Sequence, residues 1–306
     1  MDTRQYYIDT IRVIAAVTVA ISHYAWNFSK TDSVFFLNYF AGLGHIGVVL
    51  FFAISGYLVS NSLDKRRGLI YFFKDKLVRI FLPFMATYVI ISIIFILLGI
   101  IKSEFFNLTP LLRIMYVGGD YLSFILGFFP VDNNIIKYFN LKFYWFVGEW
   151  FIGTLCILYI ISPILDYFVK RKPRVIFLGS LIISVTIYIY GYNMLMHGWW
   201  FAFARLPEFL IGMLFYENRD WIFYNEKKII KLTFLWLLMV CSISIYIYDY
   251  PIFIDRWLPL TPRSFLVSLP LTICTFCLLK KANEIYNLKF LNDYSKYPMF
   301  LCYCNI

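Results

Sequence analysis

Two residues of the first apolar stretch, Ile8 to Phe28, carry chemistry that a lipid-facing helix does not need. Arg12 is a permanent cation, and His23 is an imidazole that titrates near neutrality. At roughly 100° per residue, the eleven steps between them make three turns plus about 20°, so both side chains leave one face of a helix. The rise between them is about 16 Å, roughly half the hydrocarbon thickness of a bilayer. Ionisable groups inside a span are costly and mark a functional site by default. A snorkelling cation accounts for Arg12 but not for His23.

An imidazole at that depth suits a general base that takes a proton from a hydroxyl. Such a base works best beside a carboxylate that orients the ring and stabilises imidazolium, and Glu149 is the partner expected for His23. Arg205 and Glu208 stand three apart and pair on one helix face, as an ion pair that locks the bundle or as part of a substrate-facing polar layer. Ser55 sits inside the second apolar run beside Gly56, placed either to hydrogen-bond a carbonyl or to let helices pack closely. Arg66, Lys74, Lys76 and Arg79 form a basic loop. With Arg12 they suit the phosphates of a polyanionic donor such as acyl-CoA, although topology alone also enriches such loops in Lys and Arg. The six cysteines all fall in apolar stretches. Cys274 and Cys277 have metal-like spacing but no second ligand pair, so structural thiols are expected and a metal is not.

The elements that must position these groups are membrane helices. The chain is 61% hydrophobic, 22% aromatic and only 15% charged; soluble domains carry about 25% charged residues. The apolar runs approach helical-span length, which excludes the short alternating strands of a membrane barrel. The fold class expected is an all-α polytopic bundle of about 8–10 spans, a single domain over 1–306. Spans are predicted at 8–28, 44–62, 80–101, 143–168, 175–191, 198–216, 229–248 and 264–279. The first is too long, and too interrupted by Arg12, for a cleaved signal peptide. Between 102 and 142 the semi-apolar stretch Leu108–Pro130 reads as a re-entrant segment or a pair of short spans. A last run from about 290 is shorter than a span, so the final helix is expected to be incomplete.

Lys and Arg concentrate in the loops that follow the second, fourth and sixth spans, and after the eighth, which places the N-terminus in the cytoplasm. At about 1.5 Å per residue, Arg12 then lies about 6 Å and His23 about 22 Å from the cytoplasmic end of the first span. Glu149 falls about 9 Å, and Arg205 and Glu208 about 10–15 Å, below the outer surface, in the layer of His23.

Five segments in this order resemble the membrane-bound acyltransferase 3 family. Arg12 and His23 match its basic-x10-His motif. Phe51-Phe52-Ala53-Ile54-Ser55-Gly56 is similar to its Phe-Phe-x-x-Ser-Gly signature. Lys76-Leu77-Val78-Arg79-Ile80, followed by Pro83, resembles its basic-x-x-Arg-Ile-x-Pro element. Trp145 to Glu149 resembles its Trp-x-x-x-Glu segment, and Arg205-Leu206-Pro207-Glu208-Phe209 with Gly212 its Arg-x-x-Glu-Phe-x-x-Gly element. Lys76 departs from the usual Arg, and Phe300-Leu301-Cys302-Tyr303 lacks a closing His. The resemblance implies an O-acyltransferase of a bacterial inner membrane. Its donor would be cytoplasmic acyl-CoA, most simply acetyl-CoA, with no permanently bound cofactor. Its acceptor would be a sugar hydroxyl of a cell-surface glycan or lipid-linked precursor, with no nucleic-acid partner. The alternatives are a glycan or lipid transporter using the same polar layer, and an inactive truncated relative.

Overall fold

The computed structural model of the chain describes residues 6–28, 35–65, 68–105, 149–190, 201–248 and 263–286, with side chains at some helix ends outside that set. These residues form α1 (Tyr6–Phe28), α2 (Phe35–Asp64), α3 (Leu69–Lys76), a π turn (Leu77–Phe81) and α4 (Leu82–Phe105). They continue as α5 (Glu149–Arg171), α6 (Pro173–Tyr190), a 3₁₀ turn (Ala202–Arg205) and α7 (Leu206–Glu217). After these come α8 (Arg219–Tyr224), α9 (Glu226–Tyr248) and α10 (Arg263–Tyr286). No strand occurs among the described residues. The protein is an all-α membrane bundle.

Each expected span coincides with a helix except the sixth. There the described backbone is a 3₁₀ turn followed by a twelve-residue helix. The Leu108–Pro130 segment and the run from about 290 lie outside the described residues. Tyr7–Ala25, Gly44–Asp64 and Trp150–Arg171 are long and apolar enough to cross a membrane.

The helices are apolar on both faces, for two different reasons. On α1, Ile8, Ile11, Ala15 and Val19 are buried against α2, while Ile14, Val17 and Ile21 are exposed. Exposed aliphatic stripes recur on α4 (Ile90, Ile93, Ile94), α6 (Leu178, Ile182, Ile183) and α9 (Leu232, Leu235, Met239). Water would penalise such stripes heavily; lipid tails do not.

The contacts fix the relative directions. Gly44 lies against Ser22, Gly47 against Ala15 and Val19, and the Tyr7 and Tyr57 hydroxyls are 2.8 Å apart, so α1 and α2 are antiparallel. Phe151 meets Phe51 and Phe52 while Lys170 meets Asp64, so α5 runs parallel to α2. Arg205 lies over Phe52 and Arg219 beside Asp64, so the backbone through α7 runs the same way. Lys74, Lys76, Lys170, Arg219 and Lys281 thereby gather at one end, called here the basic end.

At the centre, α2 and α7 touch backbone to backbone. A Cβ on Gly56 would collide with the Phe209 carbonyl, and one on Gly212 with the Ala53 carbonyl. Small residues let membrane helices approach closely where lipid supplies no hydrophobic drive. The close approach is made by Gly56 and not by the neighbouring Ser55.

Candidate functional site

The site has two layers. The first lies toward the basic end and brings together Arg12, Ser55, Lys76, Arg79 and a residue not singled out in the sequence, Tyr159. Arg12 is half-buried and pairs with Asp9 one turn earlier, at 2.9 Å. The Lys76 Nζ stands 5.5 Å from the ring centroids of both Phe72 and Tyr159. Ser55 on α2 lies near the Tyr159 hydroxyl on α5. Arg12 is within electrostatic reach of both Lys76 and Tyr159. Arg79 is mostly exposed and pairs with Asp75 at 2.7 Å. Lys74 is exposed, and Arg66 lies outside the described residues.

Two prolines interrupt the helical hydrogen bonding here. A proline has no N–H, so the carbonyl four residues before it loses its helical donor. Pro83 releases the carbonyl of Arg79, within the π turn that joins α3 to α4. Pro163 releases the carbonyl of Tyr159, and the Ser162 hydroxyl donates to it at 2.7 Å. Hydroxyl rescue of a freed carbonyl is a common way for membrane helices to tolerate proline.

Lys76 lies on α3, outside the spans. Burial pushes its pKa down to about 8, Asp75 opposes the fall, and Arg12 and Arg79 add to it. Three cations therefore converge, of which Arg12 and Arg79 hold carboxylates and Lys76 rests between aromatic rings. Such an arrangement suits an anion with several negative oxygens.

The second layer lies toward the opposite end. Arg205 and Glu208 pair at 3.0 Å with side chains 2% and 0% exposed. Glu208 enters in the first turn of α7, where the helix dipole favours a carboxylate. Its other oxygen, Oε2, has no hydrogen-bond partner among the described residues, and neither has the buried Nε2 of His45 on α2. His45 is within electrostatic reach of Arg205. With His45 the pair thus makes a three-residue cluster with two unfilled hydrogen-bonding atoms.

His23 is exposed on α1, a neighbour in sequence of Ser22, which packs against Gly44. The face that buries Ile8, Ile11, Ala15 and Val19 does not bury His23. Glu149 opens α5, but its side chain lies outside the described residues, and so does the expected His23–Glu149 contact.

Sequence reasoning missed His45 and Tyr159. The rule that flagged His23 applies equally to His45, which lies in the second apolar run. Nothing local distinguishes Tyr159 from the other 24 of the chain's 25 tyrosines. Among the described residues no group of His, Cys, Asp and Glu is placed to hold a metal ion. Cys274 and Cys277 are buried free thiols.

A bundle of apolar helices with cations gathered at one end is an integral membrane protein. The family comparison narrows that class: a model described as an acyltransferase domain matches residues 5–303. The chain belongs to the membrane-bound acyltransferase 3 family, and it is a membrane acyltransferase. No curated protein and no solved structure matches it.

Proposed function

We propose that this protein is an O-acyltransferase of a bacterial inner membrane. It takes an acyl group, most simply acetyl, from cytoplasmic acyl-CoA. It delivers that group to a sugar hydroxyl of a cell-surface polysaccharide or lipid-linked glycan precursor. The observation that carries the reading is the convergence of Arg12, Lys76 and Arg79 around Ser55 and Tyr159 at the basic end. By the positive-inside rule that end faces the cytoplasm, where CoA thioesters are found.

The phosphates of the donor would lie against Arg12, Lys76 and Arg79, with Lys74 at the entrance and Arg66 a further candidate contact. The flexible arm would carry the thioester along α1 and α2 toward His23. Arg12 to His23 on α1, and Ser55 to Gly44 on α2, each cover about 16 Å, so the two layers are separated by the same rise on both helices. His23 removes the proton of the acceptor hydroxyl as its oxygen attacks the thioester carbonyl carbon. The C–S bond then breaks, and the imidazolium returns the proton to the departing thiolate. Glu149 has the role of orienting the ring and stabilising its charged form. The exposure of His23 leaves it open to an acceptor.

The test is transfer of radiolabelled acetyl from acetyl-CoA to a glycan acceptor by the purified protein in nanodiscs. Wild type should transfer label, and His23→Ala should lose transfer while retaining its thermal unfolding transition. Near-normal turnover in that variant removes the proposed base. Flux of the glycan without consumption of acetyl-CoA points instead to transport.

A further inference from the structure

The connection from α2 to α4 is basic, but it is also apolar on its outer face. Residues 65–68 alone separate the end of α2 at Asp64 from the start of α3. Gly68, at φ 84°, takes the left-handed backbone that turns the chain there. The steps from Asp64 to Leu69 span about 18 Å at most, so α3 begins close to the membrane surface where the second span ends. From there the backbone stays right-handed helical at Lys76, Leu77 and Leu82, through the π turn and into α4.

Exposed apolar side chains run through the same junction. Leu69, Phe73, Leu77, Leu82, Ala86 and Ile90 are all exposed, in steps of four, four, five, four and four. The step of five falls in the π turn, which closes its hydrogen bonds one residue further along than an α-helix. The stripe that meets lipid on α4 therefore continues onto α3 without a break.

At about 100° per residue, Leu69, Ile70, Phe73 and Leu77 share roughly 100° of arc on α3. Ile70 is 87% exposed. Phe72 is buried, and the Lys76 ammonium stands over its ring, which marks the side turned to the bundle. The exposed Lys74 borders the apolar arc on its other side, and Tyr71 and Asp75 follow around the helix. An apolar face with a cation at its edge is the make-up of a helix lying in the membrane interface. Anionic headgroups attract that cation while the acyl chains beneath them take up the apolar face.

We propose that α3 docks on an anionic phospholipid surface, that of the leaflet at the basic end. Leu69, Ile70, Phe73 and Leu77 sit among the upper acyl chains, and Lys74 sits on a headgroup phosphate. Lys76 lies on the bundle side of the same two-turn helix, so the lipid holds in place the element that carries it.

The experiment is photocrosslinking of the full chain in nanodiscs of equal phosphatidylglycerol and phosphatidylcholine. Benzoylphenylalanine is placed singly at Ile70, at Ile90 as a lipid-facing reference on α4, and at Tyr71 on the polar side of α3. Leu69 is a second site with the same expectation, should replacement of Ile70 disturb the thermal unfolding transition. Intact mass should show lipid adducts at Ile70 as abundant as at Ile90, and few at Tyr71. The ratio of phosphatidylglycerol to phosphatidylcholine adducts at Ile70 should be about fivefold above that at Ile90, the worth of one lysine near a headgroup. Lys74→Glu should remove that excess. An absence of lipid adducts at Ile70 and Leu69, or adducts to a second copy of the chain there, overturns the proposal. A ratio equal to that at Ile90, or one unchanged by Lys74→Glu, overturns the headgroup contact.

Discussion

Gly56 and Gly212 each face the backbone of the other's helix: Gly56 meets the Phe209 carbonyl and the Met213 amide, and Gly212 the Ala53 carbonyl and the Tyr57 amide. The obstruction in each case is main chain, which has no rotamer to change. Gly56→Ala or Gly212→Ala must therefore separate α2 from α7, at about 3 kcal/mol or more. Thermal unfolding in detergent should show a large fall in Tm for either variant. Gly179, whose added Cβ would meet nothing within 4 Å, is the control and should tolerate Ala.

Lys76 gives a pH dependence to donor binding. Its pKa is pushed down to about 8, chiefly by burial. The cation is therefore present below that pH and lost above it, so CoA affinity should fall as pH rises through about 8. Lys76→Arg, whose guanidinium stays charged, should remove that fall. Lys76→Ala should weaken CoA binding about tenfold or more at pH 7, in line with a charge-assisted hydrogen bond. Isothermal titration across pH 6.5–9 would check all three.

Arg205 and Glu208 should respond unequally to single and double substitution. Arg205→Met leaves a buried carboxylate unpaired, at a cost of about 3–5 kcal/mol. Pairing it with Glu208→Leu removes the orphan charge and should recover much of that loss. A double-mutant cycle on thermal unfolding measures the coupling. Additive losses would mean that the pair contributes no interaction.

Lys170 ties three helices at the basic end, reaching Asp64 at 2.7 Å, Asp166 at 2.9 Å and Glu217 at 3.7 Å. Ser60 adds a bond to Asp166 at 3.4 Å. Burial holds the Glu217 carboxyl above the usual range, with Lys170 opposing. A carboxyl raised in this way weakens the fold when ionised, and that penalty disappears as pH falls and it protonates. Lys170→Met removes the opposing charge from three carboxylates. Its Tm deficit should be largest near neutral pH and shrink toward pH 4–5. The cluster is partly solvated, so screening keeps the effect modest, and added salt should reduce it.

Much of the fold was readable along the chain because hydropathy and ion placement are local properties. Membrane insertion selects each apolar run as a helix, and the cost of charge in lipid flags Arg12, His23, Arg205 and Glu208 without a partner being known. The sixth span was less legible. Pro207 and the buried Arg205–Glu208 pair occupy the start of its described part, where the backbone is a 3₁₀ turn that continues into a short helix. Lys170 counted in the sequence only as one more basic loop residue, and its role as a three-helix tie is invisible there because its partners lie 106 and 47 positions away and one helical turn back.

By itself, the sequence determined a membrane bundle, the family it belongs to, and which motifs hold its ionisable groups. Only the tertiary structure decided that Gly56 rather than Ser55 makes the helix crossing, and that the Tyr159 ring stands beside Lys76. It alone revealed His45 as the third member of the Arg205–Glu208 cluster. The reason is physical. A residue's cost in lipid depends on its own chemistry, whereas its partner depends on where two helices cross, and that is set by backbone contacts far apart in the chain.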